Sequence, residues 1–253
     1  MIVEYEKRGR TAVITLNRPE ARNAVSGELA QALEEAIDKL EADDDVWVGI
    51  LAGNGPVFCA GADLKAVASG KANLGTSRGG FGGFVTLERT KPVIAAVSGA
   101  AVAGGMELAL WADIRVMEDT AFMGVYCRRW GIPLIDGGTV RLPRLIGEGR
   151  AMDLILTGRK VKAKEAMDIG LCEYLVRDGQ ALIKAEKLAK DIARFPQSCM
   201  RADRRSVRSQ HHLKRWEAMN EEWKGSKSEV SKGIKGALAF VSGKGRGGDF
   251  SNL

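Results

Sequence analysis

The sequence is poor in histidine and in closely spaced cysteines, and both shortages argue against a zinc or other metal site. Only two histidines occur, His211 and His212, and aromatic residues make up 6% of the 253 residues. The four cysteines are scattered, without a C-x-x-C pair: Cys59, Cys127, Cys172 and Cys199. Unpaired, scattered thiols are typical of a reducing compartment, so a cytoplasmic location is expected.

Signals for export and for membrane insertion are also missing. Residues 1–16 show no basic segment followed by an apolar one, and they begin with the alternation of a strand. The longest apolar run, Lys91–Asp113, is interrupted by Ser98-Gly99, by Gly104-Gly105 and by Glu107. These interruptions argue against a membrane span, and no membrane partner is expected.

What the sequence does contain is typical of one globular domain, or of one domain with a helical appendix. Hydrophobic residues make up 45% and charged residues 28%, and the 31 glycines predict many tight turns. The net charge is +6, and much of it lies late in the chain. A basic surface favours anionic partners, such as a phosphate-bearing cofactor, nucleic acid or lipid headgroups, although each basic residue could equally lie on a solvated helix face.

Strands and helices alternate through the first part of the chain. Strands are predicted at Val3–Tyr5, Ala12–Leu16, Val46–Ala52, Val93–Val97, Ile114–Met117 and Cys172–Val176. Helices are predicted after Ser26, from Asp63 or Leu64, around Glu107, at Ala163–Ile169 and at Ala181–Arg194. This order is typical of an α/β fold with parallel strands and right-handed crossovers.

The last part of the chain has a helical pattern only. After Pro196, three further helices are predicted, separated by Gly225, Gly233 and Gly243. We therefore expect an α/β core over residues 1–195 and a helical region over residues 196–253. The segment Gly70–Gly83, rich in glycine and serine, is expected to form a mobile loop.

Glu107 is the only charged residue between Lys91 and Asp113. A buried carboxylate loses its hydration and must be paired, protonated or used in chemistry. Gly104 and Gly105 permit a sharp turn before it, and a helical pattern follows it. Glu107 is therefore predicted in the first turn of a helix, where it could serve as an acid or base, or only as a helix-start carboxylate.

Two glycine-containing turns follow predicted strands, and each turn leads into a predicted helix. They are Phe58–Asp63 and Ala101–Gly105. If the two strands are neighbours, N–H groups at the two helix starts point into one crevice and can form an oxyanion hole. Neither segment has the spacing of a dinucleotide-binding or phosphate-binding loop, although either turn alone could be purely structural.

Five segments of the sequence carry a family pattern in a fixed order. They are NRPEARNAVS (Asn17–Ser26), VFCAGADLK (Val57–Lys65), KPVIAAVSGAAVAGGMELAL (Lys91–Leu110), DGGTVRLPRLIG (Asp136–Gly147) and ILTGRKVKAKEAMDIGL (Ile155–Leu171). Together they resemble the crotonase superfamily, the enoyl-CoA hydratases and isomerases. The resemblance implies a crotonase-like spiral of ββα turns, with a helical C-terminal trimerisation region and a homotrimeric or hexameric assembly.

The resemblance also implies roles for individual residues. The substrate is expected to be an acyl-CoA thioester, with coenzyme A as part of the substrate and no tightly bound cofactor. The N–H groups of Ala62 and Gly104 match an oxyanion hole that stabilises a thioester enolate, and Glu107 matches an acid/base glutamate. Contacts with coenzyme A are implied for Arg22, Ala24, Ala60, Lys65, Phe240 and Lys244. For Arg22 and Lys65, ordinary surface charge is the alternative.

The sequence departs from the family pattern where a second catalytic glutamate is expected. Cys127 occupies that position, and Tyr126 replaces the proline before it. A thiol with an ordinary pKa of about 8.5 ionises with difficulty near neutral pH. Arg128 and Arg129 could assist its ionisation, or they could point to solvent and leave Cys127 as a small buried apolar residue.

Asp136 stands in an altered glycine-rich turn, Pro133–Gly138. It could enter the acyl pocket as a second carboxylate, one position later than the aspartate of some dienoyl-CoA isomerases. It could also cap the helix that starts at Gly137 or Gly138, and we favour the cap.

The leading hypothesis is an acyl-CoA enzyme of the enoyl-CoA hydratase or isomerase type, with an atypical site because the second glutamate is missing. The alternative is an acyl-CoA-binding protein with little or no hydratase activity, which Cys127 favours. Nucleic-acid binding through the basic segment Arg201–Arg215 is disfavoured, because no aromatic stacking motif accompanies it.

Overall fold

The computed structural model of the chain describes residues 1–69 and 89–245. The predicted loop Gly70–Gly83 lies outside the described residues. The chain divides between Ala189 and Lys190 into two compact units, near the division expected after residue 195. A role in trimerisation for the helical region, residues 196–253, stays a prediction.

The described strands are β1 (Val3–Arg8), β2 (Thr11–Leu16), β3 (Val48–Gly53), β4 (Val93–Val97), β5 (Ala100–Val102), β6 (Ile114–Glu118), β7 (Phe122–Gly124), β8 (Val161–Lys162) and β9 (Tyr174–Val176). The described α-helices are α1 (Gly27–Ala42), α2 (Leu64–Ala68), α3 (Gly104–Trp111), α4 (Gly138–Ile146), α5 (Glu148–Thr157), α6 (Ala163–Asp168), α7 (Ala181–Ile192), α8 (Gln197–Ser209), α9 (Arg215–Lys232) and α10 (Ile234–Val241).

The first unit contains two sheets. The larger sheet has the order β1-β2-β3-β4-β6-β9, in which β1 and β2 are antiparallel and every other neighbouring pair is parallel. The smaller sheet has the order β5-β7-β8, with β5 and β7 parallel. Every residue of β4 is buried, which explains its uninterrupted apolar sequence, and its bounds are the predicted ones.

Helix α1 shows how the charged residue Lys91 is accommodated in the core. The Ser26 hydroxyl accepts a hydrogen bond from the N–H of Leu29 at 3.3 Å, which is the predicted N-cap. At the other end, Nζ of Lys91 donates to the carbonyl oxygens of Leu40 (2.7 Å) and Asp43 (2.6 Å). The ammonium group is therefore buried, but it is paired with the C-terminal carbonyls of the helix.

The second unit is helical, as expected, but one predicted break is wrong. Gly225 lies inside α9 rather than between helices, because a single glycine in a helix costs only about 1 kcal/mol. Arg205 donates a hydrogen bond to the Gly225 carbonyl oxygen at 3.4 Å, so this turn of α9 contacts α8. No helix within residues 1–69 and 89–245 is long and apolar enough to cross a membrane.

Candidate active site

The two glycine-containing turns contact each other directly. Cys59 pairs with Ala101 as neighbouring parallel strands would: the Cys59 N–H donates to the Ala100 carbonyl oxygen, and the Val102 N–H donates to the Cys59 carbonyl oxygen, both at 3.1 Å. A Cβ atom at Gly105 would lie only 2.1 Å from the Cys59 carbonyl oxygen. Only glycine permits this approach, which explains the residue type at position 105.

Ala62 and Gly104 present backbone N–H groups that bind no acceptor within the described residues. The neighbours of Ala62 in sequence, Gly61 and Asp63, make the hydrogen bonds to Val25 at 2.8 and 3.0 Å. The Ala62 N–H therefore points away from Val25. A Cβ atom at Gly61 would lie 3.0 Å from the nitrogen of Gly104, so the two N–H groups are close neighbours.

The residue before α3 has a strained backbone. Ala103 has φ 53° and ψ −127°, a region that residues with a side chain rarely adopt. Its N–H donates to the Gly124 carbonyl oxygen at 2.9 Å, and its own carbonyl oxygen accepts from Met106 and Glu107. Strain of this kind costs about 1–3 kcal/mol and persists where the surroundings over-determine it. Here it fixes the direction in which the Gly104 N–H points.

Glu107 lies in the first turn of α3, as predicted, and only 3% of its surface is exposed. Its Oε1 accepts two backbone hydrogen bonds, from the N–H of Asp136 at 3.0 Å and from the N–H of Gly138 at 2.8 Å. No described residue donates a hydrogen bond to Oε2. Glu107 therefore caps a helix, but that helix is α4 and not its own.

The surroundings of Glu107 raise the pKa of its carboxyl group from 4.5 to about 7. Burial is the largest cause, and the charge of Asp136 acts in the same direction. The hydrogen bonds from Gly138 and Asp136 and the guanidinium group of Arg141 lower the pKa and limit the rise. A carboxyl group with a pKa near neutrality can both accept and release a proton at physiological pH.

Asp136 does not cap α4, so the favoured prediction for this residue is wrong. The N-cap residue is Gly137, with φ 91° and no side chain, and the Glu107 carboxylate takes the N–H of Gly138 instead. The Asp136 side chain is buried, and its charge raises the pKa of Glu107. Asp136 is thus near Glu107, and catalytic roles for both residues stay predictions.

Cys127 lies near Glu107, in the short 3₁₀ helix Tyr126–Trp130 that follows β7. Since β7 pairs with β5, Cys127 and Glu107 follow neighbouring strands. Cys127 is buried, and burial is the main cause that raises the pKa of its thiol, followed by the negative charge of Glu107. The sulfur is therefore a protonated thiol at neutral pH, which is a weak hydrogen-bond donor.

The two arginines after Cys127 do not activate its thiol. Arg128 donates to the Ile155 carbonyl oxygen, and Arg129 donates to the Gly158 carbonyl oxygen, both at 3.2 Å. The charge of Arg128 lowers the pKa of the Cys127 thiol by less than burial raises it. Burial therefore outweighs any help that these arginines give to ionisation of the Cys127 thiol.

Three residues matched to coenzyme A lie in segments that contact each other. The N–H of Ala60 donates to the Arg22 carbonyl oxygen at 3.1 Å. Arg18, which sequence reasoning missed, donates to the Ala24 carbonyl oxygen at 2.8 Å and to the Asp63 carboxylate at 3.2 Å. Arg18 therefore ties the segment before α1 to the start of α2.

The remaining matched residues are more dispersed. Lys65 is exposed in the first turn of α2. Phe240 and Lys244 belong to the second unit, where Phe240 lies near the end of α10 and Lys244 follows it, and both are exposed. Contacts between these three residues and coenzyme A stay predictions.

Asn23 is a further residue that sequence reasoning missed. It is fully buried, and its side-chain amide donates to the carbonyl oxygens of Asn54 (2.9 Å) and Val57 (2.8 Å). Its Oδ1 accepts the N–H of Arg18 at 2.9 Å. The available signal was an asparagine in a turn, because asparagine tolerates the left-handed backbone found here, with φ 52°.

Comparison with known proteins identifies the family. Residues 6–245 match the family model for enoyl-CoA hydratase/isomerase. Enoyl-CoA hydratase EchA19 of Mycobacterium tuberculosis is 41% identical over 209 residues, which cover 80% of this chain and 79% of that protein. The short-chain-enoyl-CoA hydratase of Clostridium acetobutylicum is 39% identical over 194 residues, which cover 75% of this chain and 74% of that protein.

Solved structures extend the similarity to the whole fold. The crystal structure of enoyl-CoA hydratase EchA1 from Mycobacterium marinum matches with a TM-score of 0.90 at 37% identity, covering 95% of this chain and 96% of that chain. An enoyl-CoA hydratase from Bacillus anthracis matches with a TM-score of 0.86 at 30% identity, covering 96% of each chain. The chain therefore belongs to the enoyl-CoA hydratase/isomerase family of the crotonase superfamily and has its fold.

Proposed function

We propose that this protein is an enzyme that binds acyl-CoA thioesters and acts on them through an enolate. One observation carries the proposal: Gly104 begins the helical turn that contains Glu107, and the N–H of Ala62 lies close to the N–H of Gly104. Family membership supports the substrate class. The named activity that fits best is that of an enoyl-CoA hydratase or isomerase. Its site would be atypical because Cys127 stands where a second glutamate is expected.

The proposed role of Ala62 and Gly104 is that of an oxyanion hole. Each N–H would donate to the thioester oxygen as negative charge develops on it. Both donors are backbone groups, and the contact between Gly105 and the Cys59 carbonyl holds the two turns together. A fixed donor of this kind stabilises the transition state by roughly 3 kcal/mol.

The proposed role of Glu107 is that of general acid/base. Two backbone N–H groups occupy its Oε1, so the proton is exchanged at Oε2. In hydration, the carboxylate takes a proton from water while the water oxygen bonds to the β-carbon, and the resulting enolate is then protonated at the α-carbon. In isomerisation, the same carboxyl group carries a proton between two carbon atoms.

The presence of Cys127 in place of a second carboxyl group would limit the rate of hydration. The α-carbon proton must come from a second group or from Glu107 itself. The Cys127 thiol is protonated, but burial makes it a weaker acid than an ordinary cysteine. We therefore propose slow hydration, and a preference for chemistry that needs one carboxyl group, such as isomerisation.

The direct test is turnover of crotonyl-CoA and of a 3-enoyl-CoA by the wild type and by Glu107→Gln. The glutamine keeps the shape and can still accept the two N–H hydrogen bonds, but it cannot exchange a proton. We expect kcat to fall by about a hundredfold or more. Glu148→Gln, which changes an exposed glutamate at the start of α5, is the matched control and should keep wild-type turnover. Equal and substantial turnover by wild type and Glu107→Gln would show that Glu107 is not the catalytic group.

The alternative is an acyl-CoA-binding protein with little or no hydratase activity. The buried, protonated Cys127 at the position of the second glutamate favours it. Isothermal titration calorimetry would then show acyl-CoA binding, while enoyl-, dienoyl- and malonyl-type thioesters would give no product. Turnover of any of these thioesters that is lost in Glu107→Gln would reject the alternative.

A homotrimeric or hexameric assembly and a cytoplasmic location are further parts of the proposal. Large apolar side chains recur along exposed positions of α9, which supports assembly: Trp216, Met219, Trp223 and Val230. Such a face is normally covered by another protein surface. Sedimentation velocity would test the assembly, and a monomer at micromolar concentration would count against it.

A further inference from the structure

The turn that holds Glu107 is itself held by a side chain, that of Arg141. Nη1 of Arg141 donates to the backbone carbonyl oxygen of Asp136 at 2.8 Å. The N–H groups of Asp136 and Gly138 donate to Oε1 of Glu107 at 3.0 and 2.8 Å. Three successive peptide groups are thus in use: the outer two bind the carboxylate, and the middle one binds the guanidinium group.

Two glycines make this close arrangement possible. Gly137 has φ 91°, and a Cβ atom there would lie 2.2 Å from Nη1 of Arg141. A Cβ atom at Gly138 would lie 2.8 Å from Oε1 of Glu107. The guanidinium and carboxylate groups therefore occupy the space that side chains at these positions would need, and both pack against the same short turn.

Charge adds to the effect of geometry. Among the described residues, the ionisable groups coupled to Glu107 are Asp136, Cys127 and Arg141. Asp136 raises the pKa of Glu107, whereas Arg141 lowers it. Arg141 therefore opposes the effect of the neighbouring carboxylate and favours the charged form of Glu107.

We propose that Arg141 is a positioning residue, which presents the Glu107 carboxylate to the substrate by fixing the turn at residues 136–138. The inference rests on the proposed function for what the carboxylate then does. Without Arg141, the middle peptide group is free to rotate, and the N–H groups on either side turn away from Oε1. Loss of these hydrogen bonds and loss of the cation both disfavour the carboxylate.

The test is a titration of Glu107 by NMR in protein with 13C-labelled glutamate carboxyl groups, with Glu107→Gln used to identify the resonance. In Arg141→Gln we expect the midpoint to move to higher pH by roughly half a pH unit or more. Arg141→Lys keeps the charge but not the planar fork, so a smaller shift in the same direction is expected. Arg144→Gln removes an exposed arginine of α4 and should leave the midpoint unchanged.

Kinetics on an enoyl-CoA separate this inference from the proposed function. We expect Arg141→Gln to lower kcat by about tenfold with little change in KM, because Glu107 is misplaced but binding is not lost. Circular dichroism shows which variants are folded. If Arg141→Gln is unfolded, the test uses Arg141→Lys instead. An unchanged Glu107 midpoint in the folded variants would overturn the inference, whatever the turnover. A shifted midpoint in a protein without turnover would support the positioning role and count against the proposed function instead.

Discussion

The two sides of the candidate site are held in place by different means. On the donor side, the N–H groups of Ala62 and Gly104 belong to two turns in contact through the Cys59 carbonyl and Gly105. On the acid/base side, a side chain, Glu107, is held by the backbone of a turn far away in sequence. Both sides join segments that are distant in sequence, but one side presents backbone groups and the other presents a side chain.

This difference determines what substitution can change. Among side-chain replacements only proline removes a backbone N–H, and other replacements merely displace it when the turn is distorted. An acid/base side chain can be exchanged or retuned one residue at a time, and the resemblance implies such an exchange at Cys127. Under the proposed function, the donor side would serve the enolate chemistry, and the acid/base side would decide which reaction follows.

The largest effect is expected from Gly105→Ala, which tests the donor side. The added Cβ atom would meet the Cys59 carbonyl oxygen at 2.1 Å, and both groups belong to backbone that cannot shift easily. We expect the free energy of unfolding to fall by about 3 kcal/mol or more. Displacement of an oxyanion donor should also lower kcat by about a hundredfold or more. Urea denaturation and enoyl-CoA turnover would measure the two effects.

A matched control exists at Gly149, which is exposed in α5 and has no atom within 4 Å of an added Cβ. Gly149→Ala should leave turnover unchanged and raise the free energy of unfolding by about 0.5–1 kcal/mol, because alanine favours the helix. If Gly105→Ala behaved like Gly149→Ala, the close contact between the two turns would not be needed.

Local patterns were sufficient to predict much of the fold. β4 has its predicted bounds, and Ser26 caps α1 as predicted. In each case the physical cause lies within a few residues, or in the burial of a whole segment. The predicted break at Gly225 is wrong for the opposite reason. Contacts within the second unit outweigh the weak preference of a single glycine against the helix.

The acid/base side could not be predicted in the same way. Asp136 looked like a helix cap because it precedes Gly137 and Gly138, but the cap comes from Glu107 on another helix. Arg141 gave no local signal, because its hydrogen bond to the backbone carbonyl of Asp136 depends on the shape of the turn and not on the type of a neighbouring residue. Such roles depend on three-dimensional neighbours, which sequence spacing alone does not specify.

The second prediction tests the raised pKa of Glu107 without any substrate. Well below pH 4.5 the carboxyl group is protonated in both the folded and the unfolded chain, so its ionisation does not affect the free energy of unfolding. As the pH rises from 4.5 to about 7, the unfolded chain loses the proton first, and the folded state becomes relatively less stable. Above pH 7 this destabilisation is complete, at roughly 3 kcal/mol, from a change of 1.36 kcal/mol for each pKa unit.

Glu107→Gln removes this ionisation. The free energy of unfolding of the variant should therefore rise relative to that of the wild type as the pH increases from 4.5 to 7. Urea denaturation at pH 4, 6 and 8 would measure the difference, which should be small at pH 4 and largest at pH 8. A difference that stays constant over this range would mean that the surroundings do not disfavour the carboxylate. The pKa of Glu107 would then be the same in the folded and the unfolded chain, as it is for an ordinary surface glutamate.

The smallest effect is expected from Cys127→Glu, which restores the second carboxyl group of the family pattern. We expect crotonyl-CoA hydration to rise by about tenfold, since a positioned proton donor contributes this much or more. The gain is limited because a larger side chain strains a buried site and because a second negative charge raises the pKa of Glu107 further. Cys127→Ser is the control of matched size, and it should not increase hydration. If Cys127→Glu were folded but no faster than Cys127→Ser, the position would not face the α-carbon, and the choice of reaction would have to depend on Glu107 and Asp136 alone.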